Sequence, residues 1–422
     1  MNYKKVNIKN GITLHEINTE KFKVNMMSVF LTTELNRENV TKNALIPAIF
    51  KRGSSTLKTQ EEISKKLEEM YGASFNCGIE KNGDNQVIKF YMETINDNFL
   101  PQSGEKMLKE SLENMLEIVF NPLLENGAFK EEYINQEKSN LKQRIEGKID
   151  NKSTYAIDRC VEEMYKDQPY GLYKFGYVED LEKIDSKNLY EYYQELIKKC
   201  KIDIFVSGIV DDEVRNIVEK NENIKKLEDR NPKFNVLEPE NKEEVEEKVI
   251  EDKMDVTQGK LNIGLDLVLE NEKERYDAVL YNSILGGSAT SKLFQNVREK
   301  AHLCYVASSS YLKNKSNIFI KCGIEIDNYE KALNLIREQI EDMARGEFTD
   351  EDIDNAKKGI IAQLKTIADE QDTQITYYFG QELTANPISV EDYKTRIEAV
   401  QKDDIINVAK KIRVNTIYFL RN

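Results

Sequence analysis

The feature that most limits how this chain can fold is an order of extended and helical patterns that is run through twice. GITLHEI at 11–17 and KVNMMSVFLTT at 23–33 are apolar, β-branched segments of strand type, and two helices follow. In the second helix Thr59 and Glu62 have capping-box spacing, Ile63, Leu67 and Met70 repeat at i, i+4 and i+7, and Gly72 supplies a stop. ASFNCGIEK and DNQVIKFYMET then flank the turn residues Asn82-Gly83-Asp84 as a strand pair, and a helix from about Met107 runs to Pro122. More helix fills most of 127–200, and KIDIFVSGIVDD closes the half as a strand.

The second half repeats the order. KLNIGLDLVL at 260–269 is a strand, and EKERYDAVLYNSIL is a helix stopped by Gly286 and Gly287. TSKLFQNVREK is a short helix behind a Thr290 or Ser291 cap. CYVASSSYL and NIFIKCGIEI pair around Lys313–Ser316, the second alternating Ile318, Ile320, Cys322, Ile324 and Ile326 on one face. A helix from about Asn328 ends at Gly346, another starts at the Thr349/Asp352 box, and NTIYFLRN is the last strand. The expected domains are an α+β half at 1–230, a charged linker at 231–256 that includes LEPENKEEVEEKVIEDK, and a second α+β half at 257–422.

Composition narrows the function. A formal net charge of -14 argues against nucleic acid or an anionic membrane as a partner, since both need a basic surface. No apolar run reaches the roughly 18 to 20 residues of a membrane span, and the first residues lack the apolar core of a signal peptide, so a cytoplasmic location is expected. Cys77, Cys160, Cys200, Cys304 and Cys322 have no CxxC spacing and read as reduced thiols, with Cys304 and Cys322 placed to face one another across a hairpin.

The only histidines are His15 and His302, so no helix can present two imidazoles at i and i+4 to a metal. Phosphate-loop, dinucleotide and nucleophile-elbow motifs are absent, and the many carboxylates fall in solvated charge runs. What stands out is LGGSATSKLFQNVREKAHLCYVASSSY at 285–311, with its Gly-Gly break, Arg298 and Tyr305. On residue type alone these read as a helix stop, a surface ion pair and a half-buried strand tyrosine; the alternative is a loop whose free amides meet a ligand carbonyl.

That string resembles the second-half signature of the pitrilysin/insulinase superfamily of zinc peptidases, the group that includes mitochondrial processing peptidase. NALIPAIFKRGSSTLKTQEEISKKLEEMYGASFN, QPYGLYKFGYVEDLEKIDSKNLYEYYQELI and IDIFVSGIVDDEV extend the likeness over essentially the whole chain. The resemblance implies a LuxS/MPP-like metallohydrolase fold, α+β, with two homologous halves facing each other as a clamshell around a peptide. Aligned on Phe50-Lys51, the family's His-x-x-Glu-His falls at Asn43-Ala44-Leu45-Ile46-Pro47, and its third ligand falls near Arg144, with Glu146 close by. The chain therefore binds no zinc of its own on this reading.

Arg298 and Tyr305 match the family's Arg/Tyr pair that binds substrate carbonyls beside the metal, and Gly286, Gly287, Ser288 and Ala289 resemble its substrate-contacting loop. The implied function is a zinc-less subunit that binds peptide and lends Arg298 and Tyr305 to a zinc-bearing homologous subunit in a heterodimer, with a homodimer when alone. The alternative it leaves open is a non-catalytic peptide-binding or structural scaffold.

Overall fold

The computed structural model describes residues 2–100, 106–210, 212–238 and 245–422. The chain divides into two compact units. One comprises Met1–Glu146, Leu172–Asn235 and Ala368–Gly380; the other comprises Gly147–Gly171, Val236–Ile367 and Gln381–Asn422.

The first unit is built on a six-stranded sheet in the order Asn2–Lys9, Ile12–Asn18, Lys201–Gly208, Val24–Glu34, Asn85–Ile95, Ser74–Asn82. Val24–Glu34 pairs antiparallel with both neighbours, whereas Ile12–Asn18 runs parallel to Lys201–Gly208. The helix Met107–Phe120 seals the sheet through Leu112, Met115, Leu116 and Val119, all fully buried. Each such side chain contributes about 1.5–3 kcal/mol by leaving water.

The second unit has five strands in the order Cys304–Leu312, Asn317–Ile324, Gly259–Leu267, Ile412–Arg421, Lys248–Lys253. Again the first strand of the motif pairs antiparallel with a hairpin strand on one side and the closing strand on the other. Again an outer strand, Lys248–Lys253, lies parallel to the closing strand. The five strands of the second sheet thus repeat the order of five of the six in the first, with Lys248–Lys253 in the place of Ile12–Asn18, and the first sheet adds Asn2–Lys9 at that edge.

This strand lies inside the expected linker 231–256, of which 239–244 fall outside the described residues. KVIEDK has no buried face to mark it: its residues are exposed or half-buried, and Val249 is 52% exposed. Backbone pairing at a sheet edge holds it, and side-chain pattern cannot reveal that.

The expected boundaries also miss two segments that join the unit opposite to their place in the sequence. The helix Lys152–Met164 lies on the second sheet, where Ala156, Cys160 and Met164 pack with Phe319, Tyr418 and Leu420. Its approach is close: a Cβ at Gly264 would sit 2.6 Å from the Met164 sulfur. Asn317–Ile324 is consequently buried on both faces, Phe319 as well as the alternating Ile318, Ile320, Cys322 and Ile324. In the first unit, Phe379 stacks on Phe30 at 4.0 Å and Gln371 donates to the Ser207 carbonyl at 2.9 Å.

Capping chemistry follows the sequence in most places. Thr349 and Asp352 exchange both bonds of a capping box, at 2.8 and 3.1 Å. Thr59 accepts the Glu62 N–H at 3.1 Å, but the Glu62 carboxylate reaches the Lys58 amide instead of completing the box. No described helix is long and apolar enough to cross a membrane.

Candidate functional site

Gly286 caps the helix Glu274–Leu285, its amide donating to the Asn282 carbonyl at 3.0 Å. Its own carbonyl accepts the Ser309 amide at 2.9 Å, so the turn is fastened to the outer strand of the second sheet. A Cβ at residue 286 would lie 2.6 Å from the Ser309 nitrogen, and one at 287 would lie 2.9 Å from the Ser283 Cα. The glycine pair is therefore required by packing within the unit. Ser288 and Ala289 lie beyond it on the surface, their carbonyls taken by the Ser291 hydroxyl at 2.6 Å and the Gln295 amide at 2.7 Å.

The short helix expected at 290–300 differs in two respects. Neither Thr290 nor Ser291 caps it; Lys292 precedes the first helical residue and no side chain closes the end. Residues Leu293–Lys300 wind as a π-helix, and the bond from the Ala301 amide to the Asn296 carbonyl, at 3.1 Å, shows the wider turn. Such turns are rare and recur at functional sites.

Arg298 projects from this turn, with its guanidinium 4.5 Å from the Phe294 ring centre and 3.3 Å from the Glu299 carboxylate. That ion pair joins two side chains about half exposed and contributes little to stability. Tyr305 is more exposed than the sequence reading supposed, at 71%. The reason is a bulge: the register steps from Cys304 opposite Ile324 to Val306 opposite Gly323, which leaves Tyr305 as the extra residue. Its hydroxyl makes no hydrogen bond among the described residues.

Cys304 lies opposite Ile324 and Cys322 opposite Ala307, so the two are not directly facing partners on the hairpin, and both are free thiols. A hydrogen bond from Cys322 lowers the Cys304 thiol pKa against the effect of burial, and the Arg298 charge lowers it further. His302 sits in the turn before this strand with φ 53° and is exposed.

In the first unit, the helices Val40–Phe50 and Glu131–Glu146 and the outer strand Ser74–Asn82 enclose a cavity of about 310 Å³. Ala44, Pro47, Ala48 and Lys51 line it from the first helix. Asn43 does not: it is buried in the opposite direction, donating to Gln86 at 2.8 Å and accepting the Tyr192 hydroxyl at 2.7 Å. Of the aligned pair Asn43/Pro47 only Pro47 reaches the cavity, whereas both members of the i, i+4 pair Ala44/Ala48, one residue on, line it.

Arg144 also lines the cavity, whereas Glu146 pairs with Lys142 at 3.9 Å. The carboxylate in the wall is Glu137, which accepts from Arg52 at 2.6 Å and from Asn140 at 3.1 Å. Burial pushes the Cys77 thiol up to about 12, and it donates to the Pro47 carbonyl at 2.9 Å. A protonated thiol, a carboxylate already held by arginine and two cations are not a zinc donor set. His15 is no substitute, since it is held in the core by the Tyr3 hydroxyl at 2.8 Å and by Asp203 at 2.9 Å.

A family model described as Peptidase M16 inactive domain matches residues 183–360. The Probable inactive metalloprotease YmfF of Bacillus subtilis (strain 168) is 36% identical over 414 residues, 97% of this chain and 96% of that protein. An uncharacterized zinc protease of Rickettsia felis is 24% identical over 421 residues, covering 96% and 93% of the two chains. Among solved structures, a conserved protein from Enterococcus faecalis V583 superposes with a TM-score of 0.88 at 29% identity, over 100% of this chain and 99% of that one. A peptidase M16 inactive domain from Pseudomonas fluorescens superposes with a TM-score of 0.79 at 16% identity, over 100% and 98%, and at that identity it speaks to the fold alone.

Proposed function

Since this chain belongs to the M16 peptidase family and lacks that family's zinc-binding motif, we propose that it works as the zinc-less subunit of a two-chain peptidase. It binds the peptide and supplies Arg298 and Tyr305 to the active site of a zinc-bearing homologue. The observation that carries this reading is the state of those two side chains. Tyr305 stands out of its strand on a bulge with a hydroxyl bonded to no described residue, and among the described residues Arg298 is held by a weak surface pair and a ring face.

The chemistry asked of them is modest. When water attacks a peptide carbonyl, negative charge gathers on its oxygen, and donors already aimed at that position stabilise it whichever chain they come from. The partner subunit would hold the zinc. On this chain the guanidinium of Arg298 and the hydroxyl of Tyr305 would donate to the substrate carbonyl, and the rigid turn at Gly286 and Gly287 would position Ser288 and Ala289 beside the peptide.

The test is turnover by the chain assembled with a zinc-bearing homologue from the same cell. Arg298→Ala and Tyr305→Phe should each lower turnover by about 100-fold, the size of losing one oxyanion donor, while assembly is unchanged. Turnover unaffected by both substitutions would refute the role.

A further inference from the structure

The cavity between Val40–Phe50 and Glu131–Glu146 gathers cations that have no carboxylate of their own. Lys51 donates to the Asn76 amide oxygen at 2.8 Å. Arg144 lies 4.9 Å from the centre of the Phe175 ring, which also lines the cavity. Among the described residues neither cation makes an ion pair. In a chain of net charge -14 this is a local inversion of sign. The carboxylate in the wall, Glu137, is already neutralised by Arg52.

The same cavity has apolar lining from Ala44, Pro47, Ala48 and Ile79. The volume of about 310 Å³ lies at the lower end of the range for small-molecule sites, and suits one end of a longer ligand. Ser74–Asn82, which supplies Cys77, Gly78 and Ile79 to the wall, is the outermost strand of its sheet, so its far edge can accompany an extended chain.

We infer that this cavity captures the C-terminal carboxylate of a peptide, with Lys51 and Arg144 binding the carboxylate and the apolar floor taking the last side chain. A C-terminal residue carries a carboxylate and a side chain on one carbon, which matches a cavity lined by both cations and apolar side chains. Cavities of this kind favour such a ligand through charge-assisted hydrogen bonds, of which arginine can make two in parallel. Nothing in this assignment depends on Arg298 or Tyr305, so its failure would leave their proposed role standing.

The experiment is equilibrium dialysis of the full chain against N-acetylated random tetrapeptides, one library ending in free carboxylates and the other in amides, with mass spectrometry of the retained fraction. Free acids should be retained about tenfold over amides, the difference one charge-assisted contact supports, with apolar last residues enriched. The Lys51→Gln/Arg144→Gln chain should bring the ratio close to one, and Ala48→Phe should abolish retention by filling the floor. Equal retention of acids and amides, retention of neither, or a ratio that survives in the double variant would each overturn the assignment. So would amidated peptides bearing internal Asp or Glu that are retained as well as the free acids, because the ligand would then be an acidic side chain. The comparison of libraries on the unmodified chain decides the question even if a variant fails to fold.

Discussion

The Gly286 carbonyl accepts the Ser309 amide at 2.9 Å, so the glycine turn meets the strand Cys304–Leu312 backbone to backbone. A side chain has no room there: a Cβ at 286 would also lie 2.6 Å from the Ser309 hydroxyl and 2.9 Å from Leu293. Gly286→Ala should therefore destabilise the chain by about 1–3 kcal/mol, the usual cost of overpacking. Denaturant unfolding of the two proteins measures it, and a loss below about 0.5 kcal/mol, the range of ordinary surface substitutions, would show the contact to be soft.

Asn43 and Ala44 separate two registers of the same helix. Asn43 is bound to Gln86 and Tyr192 in the core, and Ala44 and Ala48 face the cavity with Glu137. Asn43→Ala should cost about 1–3 kcal/mol, because it strands two buried polar partners. Histidines at 44 and 48 should confer measurable zinc binding in equilibrium dialysis, and histidines at 43 and 47 should not. Zinc bound only by the second pair would return the register to the alignment made on sequence.

Asp277 is buried on the helix Glu274–Leu285, and one of its oxygens lacks a hydrogen-bond partner. Burial pushes its carboxyl up to about 6, with Asp404 and Glu274 adding to the effect and Lys273 opposing it. A carboxyl raised in the folded state binds more protons folded than unfolded, so its effect is absent below the unfolded value and becomes destabilising as pH rises through about 6. Asp277→Asn should stabilise the chain by roughly 2 kcal/mol at pH 8, the advantage fading toward about pH 4. Thermal unfolding across that range checks it, and an advantage independent of pH would contradict the assignment.

The five thiols should differ in reactivity. Burial pushes Cys77, Cys160 and Cys200 each up to about 12, while Cys304 is lowered by Cys322 and by Arg298. The thiolate is the reactive form, so brief iodoacetamide treatment of the native chain should label Cys304 first. Peptide mapping that finds Cys160 or Cys200 labelled first would reverse this order.

How far the sequence was legible varied with the kind of signal. Elements with a buried stripe, such as Met107–Phe120, or an explicit cap, such as Thr349 with Asp352, announce themselves. Lys248–Lys253 does not, because an exposed edge strand has no apolar face. Nor does the placement of Lys152–Met164 on the second sheet, since an amphipathic helix shows that it needs a partner and not which one. At the candidate site, Arg298 and Tyr305 were marked by their resemblance to a family pattern. The bulge that exposes Tyr305 rests on a register between strands, and the cavity that holds Lys51 and Arg144 joins separate segments of the chain.

The central claim is that this chain contributes to a peptidase without holding the metal. The most direct measurement is zinc content and peptide cleavage of the purified chain, alone and after mixing with a zinc-bearing homologue from the same cell. The chain alone should show neither stoichiometric zinc nor cleavage, and the mixture both, with cleavage well above that of the homologue alone. Stoichiometric zinc on the isolated chain, or cleavage by the homologue that is no faster in its presence, would contradict it.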